Sequence, residues 1–220
     1  MNLELVSAIL KEGTSVGTRL GSNLAWYGNI ICKSDGNQVH LALIRQYLEN
    51  VLSSGTSISL KHMNEYFVYL FEGIVCDISA HYPGYITVRI TNAEEIINTR
   101  LSPRYDVYIA ADLRYDRDDT ANFSVVTDIS FGGLSFVCNH KFDCDDELEV
   151  TIYLPSKKIV HAKGKIIKKT AKNNLIDYSM QFVELNENNC SLLSQYFTFL
   201  EMEISSMYKQ YLTDSLSINF

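Results

Sequence analysis

No apolar run in the 220-residue chain approaches the roughly 20 residues a membrane-spanning helix needs. The opening Met1-Asn2-Leu3-Glu4-Leu5 lacks the basic start and long apolar core of a secretory signal, so a soluble chain is expected. Basic excess is missing too: 19 Lys and Arg against 26 Asp and Glu leave a net charge of -7. That balance opposes general binding of DNA or RNA, which needs a basic footprint to displace phosphate counterions. Neither part of the chain makes up the deficit, with 6 basic and 9 acidic residues through Ile97 and 13 and 17 after it. The five cysteines, Cys32, Cys76, Cys138, Cys144 and Cys190, are odd in number and include no C-x-x-C pair. This argues against a secreted disulfide framework and for a reducing cytoplasm.

Catalytic signatures are also absent. Gly17-Thr18-Arg19-Leu20-Gly21-Ser22 lacks the Lys-Ser/Thr ending of a phosphate loop and reads as a turn. There is no G-x-S-x-G elbow, no H-E-x-x-H and no nucleophile-base set, so an enzyme is not expected. Cys138, His140, Asp143 and Cys144 offer metal donor types but not the paired spacing of a zinc site. They read as a buried cysteine in a strand and an exposed histidine in a turn, with no metal expected.

What the chain does have is short β-type runs between turn residues. Hydrophobic residues at 46% and charged residues at 20% suffice for a full core. After a short apolar segment at residues 3–10, runs at 25–32, 39–44, 56–60, 66–78 and 85–90 alternate with polar breaks such as Lys33-Ser34-Asp35-Gly36-Asn37. The spacing predicts a small antiparallel barrel, with one or two helical turns at 46–52 covering its end. Gly13-Thr14-Ser15-Val16 recurs as Gly55-Thr56-Ser57-Ile58, which reads as a shared way of entering a strand. Residues 92–101 are polar and read as a connection. Six more runs follow, at 105–113, 122–129, 134–138, 148–154, 159–169 and 176–184. From Glu187 the period becomes helical, with Leu193, Tyr196, Phe197, Leu200, Ile204, Met207, Tyr208 and Tyr211 on one face. The expected fold is therefore mainly β: two small antiparallel β-barrels, domains 1–96 and 97–220, with a C-terminal α-helix. The Met207-Tyr208-Tyr211 end of that helix is a candidate surface for a partner or for a second copy in a homodimer.

Two clusters near the middle of the chain carry ligand chemistry. Arg100-Leu101-Ser102-Pro103-Arg104 places two arginines four apart, and Pro103 keeps the segment out of a helix. Arginine's planar fork pairs bidentately with phosphate oxygens or with the O6/N7 edge of guanine. Asp128-Ile129-Ser130-Phe131-Gly132-Gly133 lies at a tight turn between two predicted strands, at a sheet rim.

In this order, R-x-x-x-R followed by D-x-S-x-x-G, the clusters resemble the signature of the PilZ family. The resemblance implies a six-stranded barrel that binds the bacterial second messenger cyclic di-GMP. It implies that Arg100 and Arg104 hold phosphates and guanine edges, that Asp128 accepts from a guanine Watson-Crick edge, and that Ser130 hydrogen-bonds nearby. Gly132 and Gly133 would let the backbone approach the ligand. The first half resembles, in strand pattern and position, the N-terminal barrel of YcgR-like flagellar-brake proteins. That likeness implies a flagellar motor or switch partner and an output in motility or surface attachment. Because Arg100 and Arg104 lie on the connection between the two predicted barrels, closing them over a ligand is expected to order it and change the interdomain arrangement. A scaffold that acts through protein contacts without nucleotide is the alternative, because Thr99 and Leu101 flank Arg100 where many family members carry a further basic residue.

Overall fold

Alternating buried and exposed positions organise the chain into twelve described strands, which close into two separate six-stranded antiparallel barrels. A computed structural model describes residues 3–50, 52–81, 83–100, 102–115, 120–172 and 175–217. The chain divides into two compact units, residues 1–99 together with 201–220, and residues 100–200.

The first unit opens with helix α1 (Leu3–Ile9). Its barrel comprises β1 (Ser15–Leu20), β2 (Tyr27–Asp35), β3 (Gln38–Ala42), β4 (Ser57–Met63), β5 (Phe67–Ser79) and β6 (Tyr85–Ile97), with helix α2 (Arg45–Glu49) between β3 and β4. Around the barrel the order is β1-β2-β3-β6-β5-β4. Residues 17–20, read from sequence as part of a turn, are instead the body of β1. Val16, Thr18 and Leu20 point into the core, and the turn begins only at Gly21. The connection also proves shorter than its polar composition suggests. Asn92 to Ile97 continue β6, because β5 supplies partners: Ala93 lies opposite Phe71, and Ile96 opposite Val68. Cross-strand pairing overrides composition here.

The recurring glycine-threonine-serine segments have one local structure. Gly13 and Gly55 both take positive φ, at 82° and 89°. Each donates its N–H to a carbonyl on the strand paired with the one it enters, Ile31 of β2 in one case and Val75 of β5 in the other, at 2.8 Å. Ile31 and Val75 in turn donate to Thr14 and Thr56 at 2.9 Å. The corner reappears at Asp145, with φ 75°, whose N–H donates to Ile166 at 2.9 Å.

Helix α2 sends Tyr47 fully into the first core. Burial of a phenol demands hydrogen bonds. Asn29 Nδ2 donates to the Tyr47 hydroxyl at 2.8 Å, which donates to Thr18 Oγ1 at 2.5 Å, and Thr18 donates to the Tyr27 carbonyl at 3.1 Å. Burial pushes the Tyr47 pKa up to about 12. The folded pKa thus lies above that of the unfolded chain, about 10, so this contribution is fully present below pH 10 and is lost as pH rises toward 12. Tyr47→Phe is expected to cost about 1–2 kcal/mol at pH 7 through the broken relay. Its deficit relative to wild type should narrow as pH rises from about 10 toward 12 in denaturant titrations, whereas a constant deficit would contradict this account.

The second unit's barrel comprises β7 (Tyr105–Tyr115), β8 (Asn122–Ser130), β9 (Gly133–Cys138), β10 (Glu147–Tyr153), β11 (Ile159–Lys172) and β12 (Leu175–Glu184), in the order β10-β11-β12-β9-β8-β7. Counted from its own first strand, this barrel repeats the order of the other. Helix α3 (Glu187–Ser217) follows, and its Leu193, Tyr196 and Phe197 complete the second core beside Val107, Ile129 and Leu134. The side chains of Tyr208 and Tyr211, named above as a candidate surface, lie outside the described residues. No helix is long and apolar enough to cross a membrane among the described residues.

Cys138 and His140, weighed above as metal donors, have other local partners. The Cys138 thiol donates to the Phe123 carbonyl at 3.3 Å, and the His140 ring packs 4.7 Å from that of Phe142. Lysines of β11 meet acidic residues of their own barrel, Lys165 with Asp145 at 2.9 Å and Lys169 with Asp143 at 3.3 Å. No group of three or more His, Cys, Asp or Glu is placed to hold a metal among the described residues.

Candidate functional site

The site forms where β7 begins and the β8–β9 hairpin turns. Tyr105 pairs with Ile129 and Asp106 with Asp128 across β7 and β8, while Asp128 pairs with Ser135 and Ser130 with Gly133 across β8 and β9. This register brings Arg104, one residue before β7, to the hairpin. Its Nη1 donates to Asp128 Oδ1 at 3.3 Å, with both side chains part-exposed.

Ser130 is buried, and its hydroxyl serves the turn itself. It donates to the Gly133 carbonyl at 3.2 Å and accepts from the Gly132 N–H at 3.3 Å. The Gly132 carbonyl accepts from the Phe182 N–H at 3.0 Å, which ties the hairpin tip to β12. The two glycines differ in what surrounds them. A Cβ on Gly132 would meet nothing closer than Ser130 Oγ at 3.9 Å, whereas one on Gly133 would overlap the Met180 carbonyl oxygen and come 3.1 Å from Gln181 Cα. Close packing of β9 on β12 is thus what requires Gly133.

Arg104, Asp128, Ser130, Gly132 and Gly133 are therefore drawn together at one rim. Arg100 stands exposed at the start of the same unit, in the stretch between β6 and β7. Leu101, between the two arginines, lies outside the described residues.

The rim also holds residues that the motifs do not mark. Tyr105 stacks on Phe197 of α3, with ring centroids 4.4 Å apart and planes 15° apart. Phe131, at the hairpin tip, meets Phe197 edge-to-face at 4.9 Å and 79°. A large aromatic residue in a two-residue hairpin turn is the sequence signal that could have flagged Phe131.

A part-exposed arginine-carboxylate pair thus stands on a barrel rim beside a glycine turn, with a planar donor and an acceptor side by side. Residues 98–199 match the PilZ domain. The second barrel and the start of α3 thus belong to the PilZ domain family. A comparison with curated proteins gives no match. Among solved structures the chain is similar to YcgR from Escherichia coli in complex with c-di-GMP, at 11% identity over 94% of this chain and 92% of that one, with a TM-score of 0.48. It is also similar to the Klebsiella MrkH–c-di-GMP complex (12% identity, 93% and 94% coverage, TM-score 0.49) and to the Bacillus subtilis inhibitor of motility MotI/DgrA (13%, 88% and 98%, 0.45).

Proposed function

We propose that the chain is a cyclic di-GMP receptor. The nucleotide binds at the second barrel's rim to Arg100, Arg104, Asp128 and the Ser130-Gly132-Gly133 turn. The observation that carries this reading is the Arg104–Asp128 pair, set beside that turn within a PilZ domain. A guanine offers N–H donors on its Watson-Crick edge and acceptors on its O6/N7 edge, and a carboxylate and a guanidinium complement these respectively. In the unliganded protein the two side chains serve as partners for each other. A single part-exposed contact of this kind is worth about 0–1 kcal/mol, so a nucleotide that gives each side chain a better partner displaces it at little cost.

Both arginines lie on the stretch between the barrels. Closing them over a ligand orders that stretch and changes the interdomain arrangement, which exposes or hides a surface for a protein partner in motility or attachment machinery. The ligand drives this change only through its preference for the closed state. No turnover of the nucleotide is part of this function.

The test is a thermal-shift and small-angle scattering comparison with cyclic di-GMP, cyclic di-AMP and GTP. Stabilisation and a changed scattering profile with cyclic di-GMP alone are expected. An equal response to all three, or to none, would overturn the reading in favour of a scaffold.

A further inference from the structure

We propose that Phe131 is a purine-stacking residue, whose ring takes the face of one guanine of the bound cyclic dinucleotide. This rests on the receptor reading above and adds to it a contact outside both arginines and the acidic-serine-glycine pattern.

Three observations carry it. First, Phe131 is 45% exposed at the tip of a turn whose neighbours Ser130 and Gly133 are buried. The turn is closed by the Ser130 hydroxyl and the Gly132 backbone, so nothing in its construction requires an aromatic side chain there. Second, the ring is held in place. Phe197, only 3% exposed, is fixed by its stack on Tyr105 and receives Phe131 in a T-shaped contact. Phe131 keeps nearly half of its surface exposed despite that contact. Third, the ring lies beside the polar groups of the site. Continuing the Tyr105–Ile129 register by one step sets Arg104 opposite Ser130, the residue before Phe131, and paired strands lie about 5 Å apart.

A base held edge-on by Arg104 and Asp128 thus has an aromatic face available within one residue of the same turn. Stacking of this kind accepts any base, since every base has a π-face, while the polar groups read its identity. Phe131 therefore adds affinity, and the choice of guanine over adenine stays with the polar groups.

The test is calorimetric titration of the full chain with cyclic di-GMP for Phe131→Ala, Phe131→Leu and Phe131→Trp. Base-aromatic stacking corresponds to a loss of about 5- to 150-fold per base. Phe131→Ala and Phe131→Leu should both show that loss, since leucine keeps the apolar bulk without the π-face, and Phe131→Trp should bind as wild type or tighter. In a Trp26→Phe background, emission of the introduced tryptophan should be quenched on titration. Wild-type affinity in Phe131→Leu, or unquenched emission at saturation, would overturn the assignment while leaving the receptor intact. Absence of binding by the wild-type chain would instead overturn the receptor reading itself.

Discussion

Arg104→Ala is expected to weaken cyclic di-GMP binding by about 30-fold or more and to leave the melting temperature of the unliganded protein nearly unchanged. The two halves of this result have separate causes. Removing one member of a desolvated, hydrogen-bonded charge pair costs about 2–5 kcal/mol of binding, because the partner left behind is buried without compensation, and 2 kcal/mol is about 30-fold. In the free protein the same side chain is part-exposed and makes a single 3.3 Å contact to Asp128. Losing a contact worth under about 1 kcal/mol shifts the melting temperature of a domain this size by only a few degrees. Asp128→Ala should behave likewise. Arg104→Lys keeps the charge but loses the planar fork, so it should fall between wild type and alanine. A melting temperature lowered by more than about 10 °C in Arg104→Ala would make the pair structural and contradict its assignment to the ligand.

Gly133→Ala is expected to be the most damaging single-methyl change at the site, and Gly132→Ala a mild one. The added methyl at position 133 overlaps the Met180 carbonyl oxygen and lies 3.1 Å from Gln181 Cα. Both are backbone of β12, paired to β9 across the Met180–Leu134 and Gln181–Gly133 positions. No rotamer change relieves such a clash, so β9 must move off β12, and Leu134 and Phe136 leave the second core with it. A cost of about 3 kcal/mol or more follows, which corresponds to a melting temperature lower by roughly 10 °C or more. At position 132 the methyl finds its nearest neighbour 3.9 Å away, and the fold should survive. Circular dichroism melts of the two variants decide the point, and equal stabilities would show that the strand contact does not constrain the turn.

These two residues show where sequence reading succeeds and where it stops. Arg104 and Asp128 were legible as members of two motifs, because each motif carries its chemistry in side-chain type and the β8–β9 hairpin is local, but their pairing with each other was not. The need for Gly133 was not legible, since it comes from Met180 on a strand more than forty residues further on. The Phe131–Phe197–Tyr105 cluster was hidden for the same reason, as its central ring comes from α3. Among the strands, alternation located those of the second barrel to within a few residues of their ends. It failed at β1, where glycine and arginine disguise a strand with a regular buried face. It failed again at Asn92–Ile97, where polar composition masks a ladder imposed by β5. The helical period after Glu187 was plain, but it could not divide α3 between compact units, which takes 187–200 into the second and 201–217 into the first.

The central claim, that this barrel rim reads cyclic di-GMP, is tested most directly by isothermal titration of the wild-type chain with the nucleotide, with cyclic di-AMP and GTP as controls. Saturable heat with cyclic di-GMP alone, at a stoichiometry of one nucleotide or one stacked pair per chain, is the predicted result. No heat at high nucleotide concentration, or equal heat with all three, would contradict it.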